Sequence, residues 1–169
     1  MTEERIRSVK IEKIGRMREA GIVPYPERHE RTHTLAEVGA LEEGHSGIKL
    51  CGRIVSRREF GKLTFFDLQD LEGRFQCALQ QDRVGKDSFK QFLKLVDIGD
   101  FVGIDGELFK TQKGQLTLQG DAWTFLGKAL RPLPEKYHAI ADQETCYRQR
   151  YLDLIMDPES RRRFHLRGR

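Results

Sequence analysis

Cysteine is scarce in this chain. Cys51, Cys77 and Cys146 are odd in number, far apart, and form no C-x-x-C pair. That pattern excludes a disulfide framework and a cysteine-based zinc site, and it predicts a reducing compartment. Long apolar runs are missing too. The opening residues, MTEERIRSVK, hold no secretory signal, and no stretch reaches the length of about 20 residues that a membrane-spanning helix needs. A soluble, cytoplasmic protein without a membrane role is expected. There is no G-x-G-x-x-G, no P-loop, and no acidic cluster spaced for Mg²⁺ after residue 129. His29, His33, His45, His138 and His165 have neither a paired nucleophile nor ligand spacing. The sequence contains no catalytic constellation, no internal repeat and no low-complexity tract.

What the chain does have is charge, and one segment holds the excess. Charged residues make up 33% of the 169 positions against 38% hydrophobic ones, which suits a folded, soluble protein. That length buries one core and a small appendage, not two full domains. Residues 147–169, YRQRYLDLIMDPESRRRFHLRGR, carry seven arginines against Asp153, Asp157 and Glu159. Their balance of +4 equals the charge of the whole chain, so everything before them is neutral. Two readings stay open: an arm that touches phosphates, or an interface or linker belonging to a larger unit.

Three segments follow one another. In residues 1–46 a helix is expected over 2–20, with Thr2 as cap and Glu3 and Glu4 in the first turn, where they suit the dipole. Ile6, Val9, Ile14, Met17 and Ala20 form its apolar stripe. Gly21 ends it, and Pro24 and Pro26 forbid its continuation. The opposite face carries Arg5, Arg7, Lys10, Lys13, Arg16 and Arg18, either as a solvated face with pairs such as Glu12–Arg16 or as a surface laid along phosphates. A short helix near Leu35–Leu41 precedes a Gly44–Gly47 loop.

In residues 47–128 the period changes to two. Strands are expected around Ile48–Ile54, Phe65–Gln69, Phe75–Leu79, Val102–Leu108 and from Leu116, the last continuing through Ala122 and Leu126. A helix through Phe89, Phe92, Leu93 and Val96 lies between the third and fourth strands and closes at Gly99-Asp100. Three strands, a helix and two strands is the order of a five-stranded Greek-key barrel of the OB type. The fold class is therefore mainly β with helices: a helical arm, the barrel, and a proline-containing linker. The linker, residues 129–169, opens with Arg131-Pro132-Leu133-Pro134, a stiff connector. A helix over Cys146–Met156 and another started by Pro158 follow.

Barrels of this type bind oligonucleotides by stacking bases on outward aromatic rings. If Phe66, Leu68, Phe75, Cys77 and Leu79 face inward, then Phe65, Gln76, Gln115 and Thr117 face outward. A ring flanked by amides is what a base-reading surface requires. Arg57 and Arg58, before the first hairpin, either hold phosphates or stack on bases, or form a plain charged loop. Arg58 falls on the inward parity unless Gly52 or the strand end breaks the alternation.

The strings GIVPYP at 21–26, FGKLTFFDLQDLEGRFQ at 60–76, LFKTQKGQLTL at 108–118, KALRPLPEKYH at 128–138 and YRQRYLDLI at 147–155 resemble the N-terminal half of bacterial-type class II lysyl-tRNA synthetases. The resemblance implies that the chain binds tRNA, with a lysine tRNA and its U-rich anticodon as the partner. Phe65 matches the family's aromatic that stacks on an anticodon uridine, Gln76 the glutamine that reads the central base, and Arg58 a barrel arginine contacting the anticodon loop. Gln115 stands where the family typically has a glutamate, which implies looser discrimination, because an amide donates as well as accepts. Arg7, Lys10, Arg16 and Lys113 are candidate phosphate contacts. ATP and Mg²⁺ belong to the family's catalytic domain, whose motifs this chain lacks, so it is expected to hold no cofactor and to catalyse nothing alone. Two alternatives remain beside a synthetase part: a free-standing tRNA-binding protein, and a homodimerisation module.

Overall fold

A computed structural model of the protein describes residues 2–133 and 143–168. Its two compact units, Met1–Arg131 and Pro132–Arg169, are taken in turn.

The first unit begins with α1 (Glu3–Glu19). Thr2 sits at the cap position, but its side chain makes no capping bond. Gly21, with φ 74°, turns the chain at the other end, and the Ile22 amide bonds back to the Met17 carbonyl. The buried stripe differs from the apolar one read in the sequence. Met17 and Lys10 are buried and Ile6, Lys13 and Ile14 half-buried, whereas Val9, Ile11 and Ala20 are exposed. Two lysines lie on the inner face because their heads have partners. Lys10 Nζ donates to the Ala129 carbonyl at 2.7 Å, and Lys13 Nζ meets Asp97 Oδ1 at 2.6 Å.

Asp97 is shared with a fully buried lysine. Lys128 Nζ reaches Asp97 Oδ2 at 2.6 Å, Asp100 Oδ2 at 2.7 Å and the Leu95 carbonyl at 2.6 Å. Burial pushes the Asp97 carboxyl up, but the bonds from Lys128 and Lys13 outweigh it and hold the group below its ordinary value. Asp100, deeper in, is pushed up by burial despite Lys128. A buried ammonium is tolerated only when paired and hydrogen-bonded in this way.

The short helix α2 (Leu35–Val38) carries a capping box, with Thr34 and Glu37 bonding each other's backbone amides. The barrel follows as β1 (Ile48–Phe60), β2 (Leu63–Gln69), β3 (Arg74–Gln80), the helices α3 (Gln81–Val84) and α4 (Lys86–Leu95), β4 (Phe101–Lys110) and β5 (Leu116–Gly127). The strands close in the order β1-β2-β3-β5-β4, with only the β3–β5 pair parallel. Gly61, with φ 62°, takes the first central position of the two-residue β1–β2 turn, a conformation any other residue would adopt at a cost.

Phe66, Leu68, Phe75, Cys77 and Leu79 are all buried as expected; burial alternates along β2, whereas in β3 Gln76 and Ala78 are buried as well. Phe66 packs on Phe92 of α4 at 5.2 Å between ring centres, and Phe92 on Trp123 at 5.3 Å. β5 runs through Ala122 and Leu126 as expected, with irregularities in its pairing to β4. Asp105 pairs with Ala122 but Gly106 with Gly120, so Asp121 is extra; past it Ala122 is exposed, Trp123 and Leu126 are half-buried and Phe125 is buried. α4 ends at Leu95, earlier than Gly99-Asp100, which instead lead into β4.

The second unit contains α5 (Gln143–Arg148), α6 (Arg150–Met156) and α7 (Pro158–Arg167). The helix expected over Cys146–Met156 is broken at Gln149, whose ψ of 57° is not helical. Pro158 is the first residue of α7, and Asp157 caps it by accepting from the Glu159 and Ser160 amides at 3.0 and 3.2 Å. Pro134, half of the expected stiff connector, lies outside the described residues.

The burial of adjacent phenylalanines gives a direct check. Phe66→Ala is expected to lower the unfolding free energy by about 3–5 kcal/mol, and Phe65→Ala by less than about 1.5 kcal/mol. Urea melts of both variants measure this, and the reverse ranking would place β2 one residue out of register.

Candidate nucleic-acid interface

The outer face of the first hairpin is set by an irregularity in β1. Ile54 pairs with Leu68, but the next pair is Ser56 with Asp67, which leaves Val55 as an extra residue. Such a bulge inverts the alternation beyond it. Arg58 consequently lies opposite Phe65 on the outward face, rather than on the inward parity that uninterrupted alternation assigns. The break is at Val55, not at Gly52 or the strand end.

Arg57 takes the other side. Its side chain is 18% exposed, its Nη1 donates to the Val96 carbonyl at the end of α4, and its Nη2 pairs with Glu59 at 3.1 Å. As placed, it satisfies a helix-end carbonyl and does not share the face of Arg58.

The face is then assembled from three strands and a turn. Phe65 is half-buried on β2, and Phe60, 61% exposed at the end of β1, packs edge-on against it with ring centres 6.1 Å apart. Two rings at a hairpin tip offer a stacking surface open to solvent. Gln76 on β3 has outward parity yet is only 6% exposed. Arg58 Nη2 donates to its Oε1 at 3.2 Å, and its Nε2 donates to Thr117 Oγ1 at 2.8 Å. Only an edge of the amide therefore remains for a ligand. Thr117, also of outward parity, is fully buried and donates to the Gln115 carbonyl at 3.2 Å.

Gln115 sits in the β4–β5 turn, held by its own backbone. Its amide bonds Thr111 Oγ1 at 3.1 Å and its carbonyl accepts from the Thr111 amide at 3.0 Å, which leaves the side chain exposed. Lys113, in the same turn, is exposed. At the other end of the outward face Asp67 accepts from Ser56 and from Arg74, which stands 2.7 Å away.

The remaining candidates are not brought to this face. Lys10 is turned inward to Ala129 and so presents no free ammonium to a phosphate. Arg7 and Arg16 are exposed on α1, Arg16 beside Glu12 at 3.9 Å. In the second unit Arg150 pairs with Asp153 at 2.6 Å and stacks over Tyr147 and Phe164, while Arg162 and Arg163 stand within 4 Å of Glu159 and Asp157. Among the described residues no three His, Cys, Asp or Glu side chains converge to hold a metal ion, and no helix is long and apolar enough to cross a membrane. Sequence reasoning passed over Phe60. Its membership of the outward face follows from the bulge, which no residue type announces.

Residues 48–126 match the family model of the OB-fold nucleic acid binding domain, from the first residue of β1 to the end of β5 less one. Along 95% of its length the chain is similar to lysine–tRNA ligases. It is 45% identical over 163 residues to that of Carboxydothermus hydrogenoformans and 44% over 170 residues to that of Latilactobacillus sakei. These matches cover 33% and 34% of the relatives, so the chain spans about a third of the length of the curated proteins it matches.

The two neighbouring arginines are expected to behave differently. Arg57→Ala removes the donor to Val96 and should cost about 1.5–3 kcal/mol of folding stability. Arg58→Ala should cost under about 1 kcal/mol and act on RNA affinity instead. Urea denaturation alongside RNA titration separates them, and equal destabilisation would refute the opposed placement.

Proposed function

We propose that this chain is the tRNA-reading part of a lysine–tRNA ligase and recognises the anticodon of a lysine tRNA through the outer face of its barrel. The observation that carries this is the convergence of Arg58, Phe65 and Gln76 from three strands, with Gln115 at the rim. Phe65, flanked by Phe60, supplies a ring on which a base stacks, worth roughly 1–3 kcal/mol per base. The amide edge of Gln76 pairs with the central base, and the exposed side chain of Gln115 pairs with a neighbouring one. Arg58 steadies Gln76 and places positive charge beside the loop phosphates, with Lys113 adding to the field.

In this reading the chain contributes recognition. The activation of lysine, with its ATP and Mg²⁺, belongs to residues beyond those present here. The relatives' shared name and the barrel's match to a nucleic-acid-binding family support the assignment. The tail is better suited to a protein contact than to a phosphate arm. Several of its arginines already have carboxylate or ring partners, and Tyr147, Phe164 and Leu166 are exposed beside them. In this second reading the exposed rings of the tail are covered by a second copy of the chain.

The test is titration of the protein with an anticodon stem-loop carrying a central uridine and with its central-cytidine counterpart, at two salt concentrations. Selective binding that persists at the higher salt is expected, and Phe65→Ala should weaken it by about 1–3 kcal/mol. Unselective binding that vanishes with salt, unaffected by Phe65→Ala, would contradict the assignment.

A further inference from the structure

Thr117 cannot touch RNA, because its side chain is fully buried. It nevertheless stands in the middle of a hydrogen-bond chain that ends at the outer face. Arg58 donates to Gln76 Oε1 at 3.2 Å, Gln76 Nε2 donates to Thr117 Oγ1 at 2.8 Å, and the Thr117 hydroxyl donates to the Gln115 carbonyl at 3.2 Å.

The direction of this chain is forced at both ends. A guanidinium has only donors and a backbone carbonyl only accepts. The Gln76 atom facing Arg58 must therefore be the oxygen, which turns the NH₂ toward Thr117. The hydroxyl must accept from that NH₂, since its own proton is committed to Gln115. Rotating the amide by half a turn would set NH₂ against guanidinium, and its oxygen could bond Thr117 only if the hydroxyl gave up the Gln115 carbonyl. The carboxamide keeps one N–H and one oxygen lone pair beyond these bonds, and their order in space is fixed.

That order matters for a pyrimidine. Uracil presents an imino N–H donor next to the O4 acceptor, while cytosine presents a ring-nitrogen acceptor next to the N4 amino donor. The two edges are complementary to opposite orientations of one carboxamide. An amide free to turn accepts either base; one held in a single orientation distinguishes them.

We propose that Thr117 is a positioning residue for base discrimination: its buried hydroxyl holds the Gln76 amide in the one orientation that accepts uracil and rejects cytosine. The inference rests on the anticodon-reading role of this face. It adds that selectivity between the two pyrimidines depends on a residue that never meets the RNA, anchored through the backbone of the same turn that presents the Gln115 side chain.

The experiment compares the full chain with Thr117→Val, which keeps shape and removes the hydroxyl, and Thr117→Ser, which restores it. Each is titrated with the central-uridine and central-cytidine stem-loops, beside Gln76→Ala and Phe65→Ala. The uridine-to-cytidine affinity ratio should fall about five- to tenfold in Thr117→Val and return to within about twofold of the parent in Thr117→Ser. An unchanged ratio in Thr117→Val, while Gln76→Ala loses it, overturns the role of Thr117 and leaves the face's function standing. A parent chain with no uridine preference, indifferent to Phe65→Ala as well, overturns both together. Should Thr117→Val fold poorly, the parent alone suffices. Nuclear magnetic resonance should show the Gln76 side-chain amide protons protected from exchange without RNA, and rapid exchange there contradicts the proposal.

Discussion

The unpaired residue at Val55 decides which side chains of β1 share a face with Phe65. Without it, strict alternation would send Arg58 into the barrel and Arg57 to the outside. With it, Arg58 lies directly across from Phe65 and reaches Gln76 one strand further on, while Arg57 turns to the end of α4. Phe60, two residues beyond Arg58, follows onto the same side and packs on Phe65. A single extra residue thus gathers a ring pair, a guanidinium and an amide onto one patch, and adds the local twist that bulges bring near functional edges.

The patch is only as good as the scaffold behind it. On the inner side, Phe66 packs on Phe92 of α4, so the strand carrying Phe65 is anchored by the residue next to it. The buried Lys128 joins the loop before β4 to the end of β5, and through Asp97 it also fixes α1 by way of Lys13. The amphipathic look of the arm is therefore misleading. Two of its lysines are internal fasteners whose charges are matched by carboxylates and carbonyls rather than offered to solvent. This arrangement needs both partners: taking either carboxylate away leaves a fully desolvated ammonium short of a ligand.

Much of this was legible in the residues, and the reasons for the rest are specific. Period-two alternation placed Phe66, Leu68, Cys77 and Leu79 inward, because a strand with one buried face has no tolerance for slippage. Order and spacing sufficed for a five-stranded barrel with a helix before the fourth strand. Gly120-Asp121 does carry a bulge signal, a glycine inside a strand beside a residue depleted from strands. The bulge at Val55 was not legible, since valine looks like any other strand residue, so Arg58 fell on the inward parity. Nor was the inner face of α1 legible, since a lysine with a buried partner is indistinguishable in sequence from one facing water. Gln76 shows a third limit: parity puts it outside, but only its neighbours reveal that most of its amide is already bonded.

The central claim is that one patch of the barrel meets the anticodon. Backbone and side-chain resonances of the chain, followed while an anticodon stem-loop with a central uridine is added, test this directly. The account predicts that the largest shifts fall on Phe60, Phe65, Gln76 and Gln115, with α1 and the helices after residue 143 nearly unmoved. Shifts concentrated on Arg7, Arg16 or the arginines of α7, with Phe65 and Gln76 silent, would contradict it.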